Sequence, residues 1–343
     1  MTGAGRYAEL AAAVRSFKAD LLQPGQVERL VETGSLSETV SLLTGGRVSA
    51  TDTSDLPSVE SSLVQKAIEL SSRLAAYTPH DSRPLIKLFA ARYELECVKE
   101  ILRSIADQAD PEEAMKHIIP AGKLTPERCK ELLEARNPNR VVEAVEDEAL
   151  KRLIAPLVSG ERGGGATVFA IDQYYYGRLW AASNLPDPLD TQTARGLVGE
   201  AIDCLNILLA FRARLTGLDA RSASDIMIPA NYALGRALEE LAEGASAQNL
   251  MRALDKTPYA RAIEGLSRVA GDGGISRVEL ALNRSHALSC RNAFAGSPFN
   301  VGLALAFLFL KAYELRDMFA IINGKANKVP ADQVMSCLIL TAT

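Results

Sequence analysis

Across residues 85–105 apolar side chains fall at Leu88, Leu95, Val98, Leu102 and Ile105, at intervals of seven, three, four and three. That spacing keeps them on one face of an α-helix, whose period is 3.6 residues. Stretches of the same kind recur along the chain, and helix starts are signalled between them. Asp110-Pro111-Glu112-Glu113 supplies an N-cap carboxylate, a proline at the first helical position and a capping-box glutamate. Thr125-Pro126 opens the next helix in the same way, and Ser35 with Glu38 forms another box. The one β-like run, Ala166-Thr167-Val168-Phe169, is short and merges at helical spacing into Tyr174-Tyr175-Tyr176. The pattern predicts an all-α protein.

A module of such helices occurs three times. Each copy has an anchor about ten residues in (Glu60, Val168, Glu279), then a carboxylate on a long apolar helix (Glu94, Asp203, Glu314), separated by 34, 35 and 35 residues. A hydrophobic-Pro-Ala step follows, at Pro120, Pro229 and Pro330, and then a short amphipathic segment. The third copy stops soon after its step, while an orphan half-module begins at Gln23-Pro24-Gly25. Stacked repeats bury a continuous core, and an open array leaves apolar ends. The expected solution is a closed body of three lobes with a central cavity. Residues 1–57 complete the last lobe, and 58–163, 164–273 and 274–343 form lobes one, two and three. Residues 160–165, 184–191 and 271–274 are read as loops at lobe boundaries.

Composition narrows the function. With 343 residues, of which 48% are hydrophobic and 23% charged, the chain is globular. A net charge of −4 and a pI near 5.6 argue against nucleic acid as a partner. Five scattered cysteines without a CxxC pair fit reduced thiols in a cytoplasmic protein. Arg6, Glu9, Arg15 and Lys18 interrupt the first twenty residues, so no secretory signal is read there. The most apolar run, residues 299–310, falls short of the roughly 20 residues a membrane span needs.

Candidate chemistry is sparse. Glu94 shares a helical face with Val98, Ile101 and Ile105, and Glu314 with Phe307, Leu310, Met318 and Ile321. A carboxylate in an apolar stripe needs a partner, because burying it bare costs several kcal/mol. Three-fold repetition favours buried structural ion pairs pinning one lobe to the next over three acid sites. Gly160-Glu161-Arg162-Gly163-Gly164-Gly165 and Asn323-Gly324-Lys325 lack the Ser/Thr and spacing of a phosphate loop. His80, His117 and His286 have no second ligand at metal spacing. Tyr174, Tyr175, Tyr176 and Trp180 suit a core or lobe interface better than a stacking site. No catalytic, cofactor or metal site is expected.

Four stretches, taken together in their order and spacing, resemble the C subunits of archaeal (A-type) rotary ATP synthases, counterparts of the d subunits of vacuolar-type ATPases. They are RYAELAAAVRSFKADLL; LFAARYELECVKEIL with Arg92 and Glu94; IDCLNILLAFRARLTG with Asp203, Asn206 and Arg212; and residues 297–338 with Lys311, Glu314, Gly324, Lys325 and Pro330. The chain departs from that pattern at Cys97 and Asp317, where Asn is usual, at Val168, where Glu is usual, and at Ala312, where a second acid is usual. The resemblance implies a non-catalytic, all-helical, three-lobed funnel in the central stalk. It would be monomeric in isolation and present once per complex, seated peripherally on the cytoplasmic face of the membrane proteolipid ring. Its cavity would receive the axle, made of the D and F subunits. The alternatives are an α-helical scaffold of another cytoplasmic complex, and more distantly an enzyme using Glu94, Asp203 or Glu314.

Overall fold

The computed structural model describes residues 3–44, 56–158, 163–244, 246–264 and 272–341. Among them the regular elements are all α-helices, and the one β feature is an isolated bridge between Ala121 and Leu124. In chain order, α1 (Gly3–Lys18), α2 (Pro24–Glu32) and α3 (Leu36–Thr44) precede a long pair, α4 (Leu56–Tyr77) and α5 (Arg83–Ala106). Four short helices follow: α6 (Pro111–Met115), α7 (Pro126–Ala135), α8 (Pro138–Ala144) and α9 (Glu148–Val158). The second long pair is α10 (Gly163–Ala182) and α11 (Pro188–Leu215), with α12 (Ala220–Ile226), α13 (Ala237–Glu243) and α14 (Ala247–Leu254) after it. The third is α15 (Asp272–Ala293) and α16 (Gly302–Ala326), and α17 (Ala331–Cys337) ends the described chain.

The local signals act where they stand. Asp110 accepts the amides of Glu112 and Glu113, Thr125 accepts that of Arg128, and Ser35 that of Glu38 at 3.2 Å. These side chains satisfy orphan donors of the first turn. The β-like run at 166–169 lies inside α10. Residues 184–191 do not mark a lobe boundary: they form the turn between α10 and α11 and the start of α11. Thr191 Oγ1 bonds both the amide and the carbonyl of Leu185 at 2.8 Å and closes that turn. Of the other two loops, residues 160–162 and 271 lie outside the described residues, and the rest begin α10 and α15.

The long pairs pack in a cycle. α4 meets α5, α10 meets α11 and α15 meets α16 within the pairs; α10 packs along α5, α15 along α11, and α4 along α16 between them. The order α4–α5–α10–α11–α15–α16 thus returns to α4. The turning ends of all three pairs share one apolar core, which includes Leu74, Leu85, Phe89, Leu179, Leu197 and Phe307. α1 drives Tyr7, Leu10, Val14 and Phe17 into the same core. Every residue from 301 to 310 is buried, so the apolar run at the start of α16 is a helix enclosed by protein on all sides.

At their other ends the pairs have separate cores. Val98, Ile101 and Leu102 pack with α6–α9; Ile207 and Phe211 pack with α12–α14. The third core, in two adjoining clusters, joins Met318, Ile321 and Ile322 of α16 to Val40 of α3, Val27 and Leu30 of α2, and Val334 of α17. The N-terminal helices therefore pack with the last ones. Lys325 Nζ donates to the carbonyls of Val31 and Thr33 and caps the end of α2. A Cβ on Gly324 would come within 2.6 Å of Val334 Cγ2, which explains the glycine. The Gly-Lys step is a packing device.

One hydrogen-bonded knot ties the turning ends. Tyr7 Oη donates to Asp190 Oδ2 at 2.5 Å, at the start of α11, and Ser82 Oγ, just before α5, lies 2.8 Å from the same phenol oxygen. The other oxygen, Asp190 Oδ1, accepts the amide of Val301, just before α16, at 3.0 Å. A Tyr7→Phe variant leaves the buried Asp190 short of a donor and is expected to lose about 1–3 kcal/mol of stability. Tyr77→Phe, at an exposed phenol, should change it by less than about 0.5 kcal/mol. Denaturant midpoints of the two variants check the difference.

Candidate functional site

Two cavities open between the separate ends of the long pairs. A cavity of about 650 Å³ is lined by Glu96, Lys99 and Arg103 of α5, Val168, Asp172 and Tyr176 of α10, Leu205, Leu209 and Arg212 of α11, and Glu279 of α15. A smaller one, about 310 Å³, is lined by Arg92, Tyr93, Glu96 and Glu100 of α5 and by Ala312, Leu315, Arg316 and Phe319 of α16. Glu96 borders both. Together they give the interior a charged wall to which five long helices contribute.

The wall is stitched by ion pairs between neighbouring helices. Glu279 holds Arg212 at 3.2 Å through Oε2 and Arg316 at 2.8 Å through Oε1, linking α15 to α11 and α16. Lys99 Nζ reaches Asp172 Oδ1 and Glu96 Oε1, both at 2.7 Å, linking α5 to α10. Burial works against the charge on Lys99, but its two carboxylates together lift its pKa. Burial also lifts the Asp172 carboxyl, and the charges of Lys99 and Arg103 do not reverse that.

The predicted anchors fall on these seams. Nine residues beyond the helical carboxylates stand Arg103, Arg212 and Asn323. Glu279 takes Arg212, and Glu60 Oε1 takes the amide of Asn323 at 2.8 Å, which joins α4 to α16. Val168 has no charge to offer Arg103, which pairs with Glu100 on its own helix. Between α5 and α10 the link sits one turn along both helices, at Lys99 and Asp172.

The three helical carboxylates do not make the inter-lobe ion pairs expected of them. Half-buried Glu94 accepts the amide of Lys123, three residues past Pro120. Buried Asp203 accepts Tyr232 N at 3.2 Å, Ala233 N at 2.7 Å and Tyr259 Oη at 2.8 Å, just past Pro229. Buried Glu314 accepts the amide of Leu22, two residues before Pro24, and pairs with Lys311 on its own helix. Pro330 stands at the N-cap of α17. Each carboxylate satisfies an irregular turn near a proline. Amide donors do this without bringing a second desolvated charge into the core. Burial lifts Asp203 above the usual carboxylate range, against the pull of its amides and Tyr259.

Three residues further on, the same helices carry a second set that sequence reasoning did not single out as a site. Asn206 Oδ1 accepts Ile228 N at 2.8 Å and its amide donates to Ile228 O at 3.1 Å. Asp317 accepts the amides of Ile339 and Leu340, each at 2.8 Å. Cys97 instead lies 3.6 Å from Cys129, sulfur to sulfur. The constant offset from Glu94, Asp203 and Glu314 was the available signal.

The remaining candidates are structural. Tyr175 is in the shared core, Tyr176 lines the larger cavity, Tyr174 Oη donates to Asp147 at 2.8 Å, and Arg195 lies over Trp180 at 4.9 Å. His286 is fully buried, with Nε2 3.0 Å from Leu197 O and Nδ1 2.7 Å from Tyr313 Oη. A carbonyl can only accept, so Nε2 carries the proton and Nδ1 takes that of the tyrosine. Burial pushes this histidine down to about 4. His80 and His117 are exposed, and among the described residues no group of three or more His, Cys, Asp or Glu could hold a metal. Nor is any helix among them long and apolar enough to cross a membrane.

Comparison with known proteins gives one answer. The family model described as ATP synthase (C/AC39) subunit matches residues 10–337. The chain is 25% identical to the C subunit of the A-type ATP synthase of Methanocaldococcus jannaschii, over 97% of this chain and 86% of that one. It is 23% identical to the protein of the same name in Methanosphaera stadtmanae, over 96% and 86%. For the one in Pyrococcus horikoshii the figures are 20%, over 94% and 87%.

Two stability predictions arise from these buried groups. Asp203→Ala strands buried donors and is expected to cost about 3 kcal/mol or more, with Asp203→Asn between it and the native chain by denaturant melts. His286 binds its proton near pH 6.5 when unfolded and near 4 when folded. Its contribution is whole above pH 6.5 and is lost as pH falls through 4, by on the order of 3 kcal/mol. The difference in stability between native chain and His286→Gln, followed from pH 7 to 4, should shrink accordingly.

Proposed function

Since the chain belongs to the ATP synthase (C/AC39) subunit family, we propose that it is the non-catalytic central-stalk adaptor of a rotary A-type ATP synthase. In this reading three helical lobes form a funnel: residues 58–163, 164–273, and 274–343 completed by 1–57. One copy per complex, monomeric when free, seats its closed end on the proteolipid ring at the cytoplasmic face of the membrane. The open end receives the axle, the D and F subunits. Ion movement belongs to the ring and ATP chemistry to the catalytic head.

The observation that carries this reading is the cyclic packing of the long pairs, in which α4 returns to α16. A cycle resists torsion in both senses, because no seam is left open, and a collar of that kind transmits torque by shape. The division of cores supports the polarity: one core joins all the turning ends, and separate cores lie at the others. The buried carboxylates are held by backbone amides and a lysine, which suits a structural part. Each turning end also presents one large apolar side chain, Tyr77, Leu189 and Phe299, exposed by 44, 47 and 40%. Apolar groups displayed at three equivalent turns suit a protein surface.

Purification with a detergent-solubilised proteolipid ring and with the D–F pair tests the assignment. The native chain should retain both. A Tyr77→Ser, Leu189→Ser, Phe299→Ser variant should lose at least tenfold in ring retention while keeping the axle. A native chain that retains neither partner ends the proposal.

A further inference from the structure

The cations bordering the two cavities differ in one respect. Lys99, Arg103, Arg212 and Arg316 each hold a carboxylate. Among the described residues Arg92 holds none. Its guanidinium carbon stands 5.4 Å from the ring centre of Phe89 and 5.8 Å from that of Tyr93, in cation–π contact. Glu96, one turn further along α5, has its Oε1 on Lys99 at 2.7 Å. Arg316, across the smaller cavity, is taken by Glu279. Ala312 borders the same space and leaves room beside the guanidinium.

A half-buried guanidinium laid against aromatic faces, with the nearby Glu96 already committed to Lys99, is not what stability alone selects, since an apolar side chain of similar length packs there without a charge to desolvate. Its planar fork is suited to grip a carboxylate through two parallel hydrogen bonds. The attraction is stronger here than at an open surface, because the cation has already given up part of its water. The cavity beside it, about 310 Å³, admits a side chain or chain end and not a folded domain.

We propose that Arg92 is the seat for a carboxylate carried at the leading end of the protein segment that enters the cavity. That group is an Asp or Glu side chain or a terminal carboxylate, gripped by the guanidinium at the depth where the paired wall ends. The inference rests on the axle reading above and adds to it the chemistry of the tip. It makes the seat directional: one cation on α5 has no counterpart at Ala201 or Ala312, which hold the equivalent positions two residues before Asp203 and Glu314. A shaft with one acidic tip therefore has one preferred rotational setting.

Binding of the D–F pair to the full chain, measured between 50 and about 300 mM salt, tests it. Arg92→Leu should weaken binding at least tenfold at low salt and flatten the salt dependence, while the isolated variant melts no lower than the native chain. Arg92→Lys keeps the charge and should recover part of the affinity and most of the salt slope. Arg140→Leu, at an exposed arginine bordering neither cavity, should bind as the native chain does. Equal binding by native chain and Arg92→Leu overturns the seat and leaves the axle reading standing. Weakened binding with an unchanged salt slope also overturns it, because packing would then be responsible. A native chain that binds no D–F pair at any salt removes the axle reading and the seat with it.

Discussion

Three long hairpins with separate far ends need something to hold their near ends in register, and that is a buried phenol on a carboxylate. Tyr7 and Asp190 tie the approaches to α5, α11 and α16 through Ser82, Asp190 itself and the amide of Val301. The pieces come from residues as far as 183 positions apart. Apolar burial around the knot supplies the driving force, but it is non-directional and tolerates sliding. Hydrogen bonds with fixed partners do not. Burial pushes the Tyr7 phenol well up, so it keeps its proton and remains a donor throughout the working pH range.

From that fixed end the helices run outward, and their mutual contacts follow one physical theme. Each seam between neighbouring pairs uses a polar link at the level where the common core gives way to the cavities: Glu279 with Arg212, Glu60 with Asn323, Lys99 with Asp172. Links of this type contribute little net stability at a surface, and a variable amount when buried. Their value here lies in angle. They fix how far apart the helices stand around the cavities, where shape has to be kept without a filled core.

The turns beyond the Pro-Ala steps are a second constraint. A proline breaks the helix and leaves the following amides without partners. Glu94 and Asp203 take amides past their steps, and Asn206 binds the backbone of the step itself. Asp317 performs a similar service for residues 339 and 340. These bonds tie the segments beyond the steps to the long helices.

Helix positions were legible in the sequence because their determinants are local: apolar spacing over five turns in α5, Asp110 and Thr125 at caps, prolines at first turns. Family membership was legible from the order of four stretches. The carboxylates at 94, 203 and 314 were visible as groups that needed partners, but the partners proposed for them, ion pairs with a neighbouring lobe, were wrong for all three: Glu94 and Asp203 take backbone amides, and the cation on Glu314 is Lys311 of its own helix. Residues 184–191 were misplaced as a boundary because two prolines mark a tight hairpin as readily as a linker. Arg92 was visible only as one residue of a family-like stretch, with nothing to mark it as lacking a carboxylate, and Tyr7 and Asp190 were not singled out, since a phenol near an N-terminus is unremarkable in one dimension. The sequence by itself determined where helices begin, which faces are apolar and which family the chain joins. Only the tertiary structure decided which donor meets which acceptor, because a buried polar group bonds to whatever the packed backbone brings within about 3 Å, and that backbone is often more than a hundred residues away.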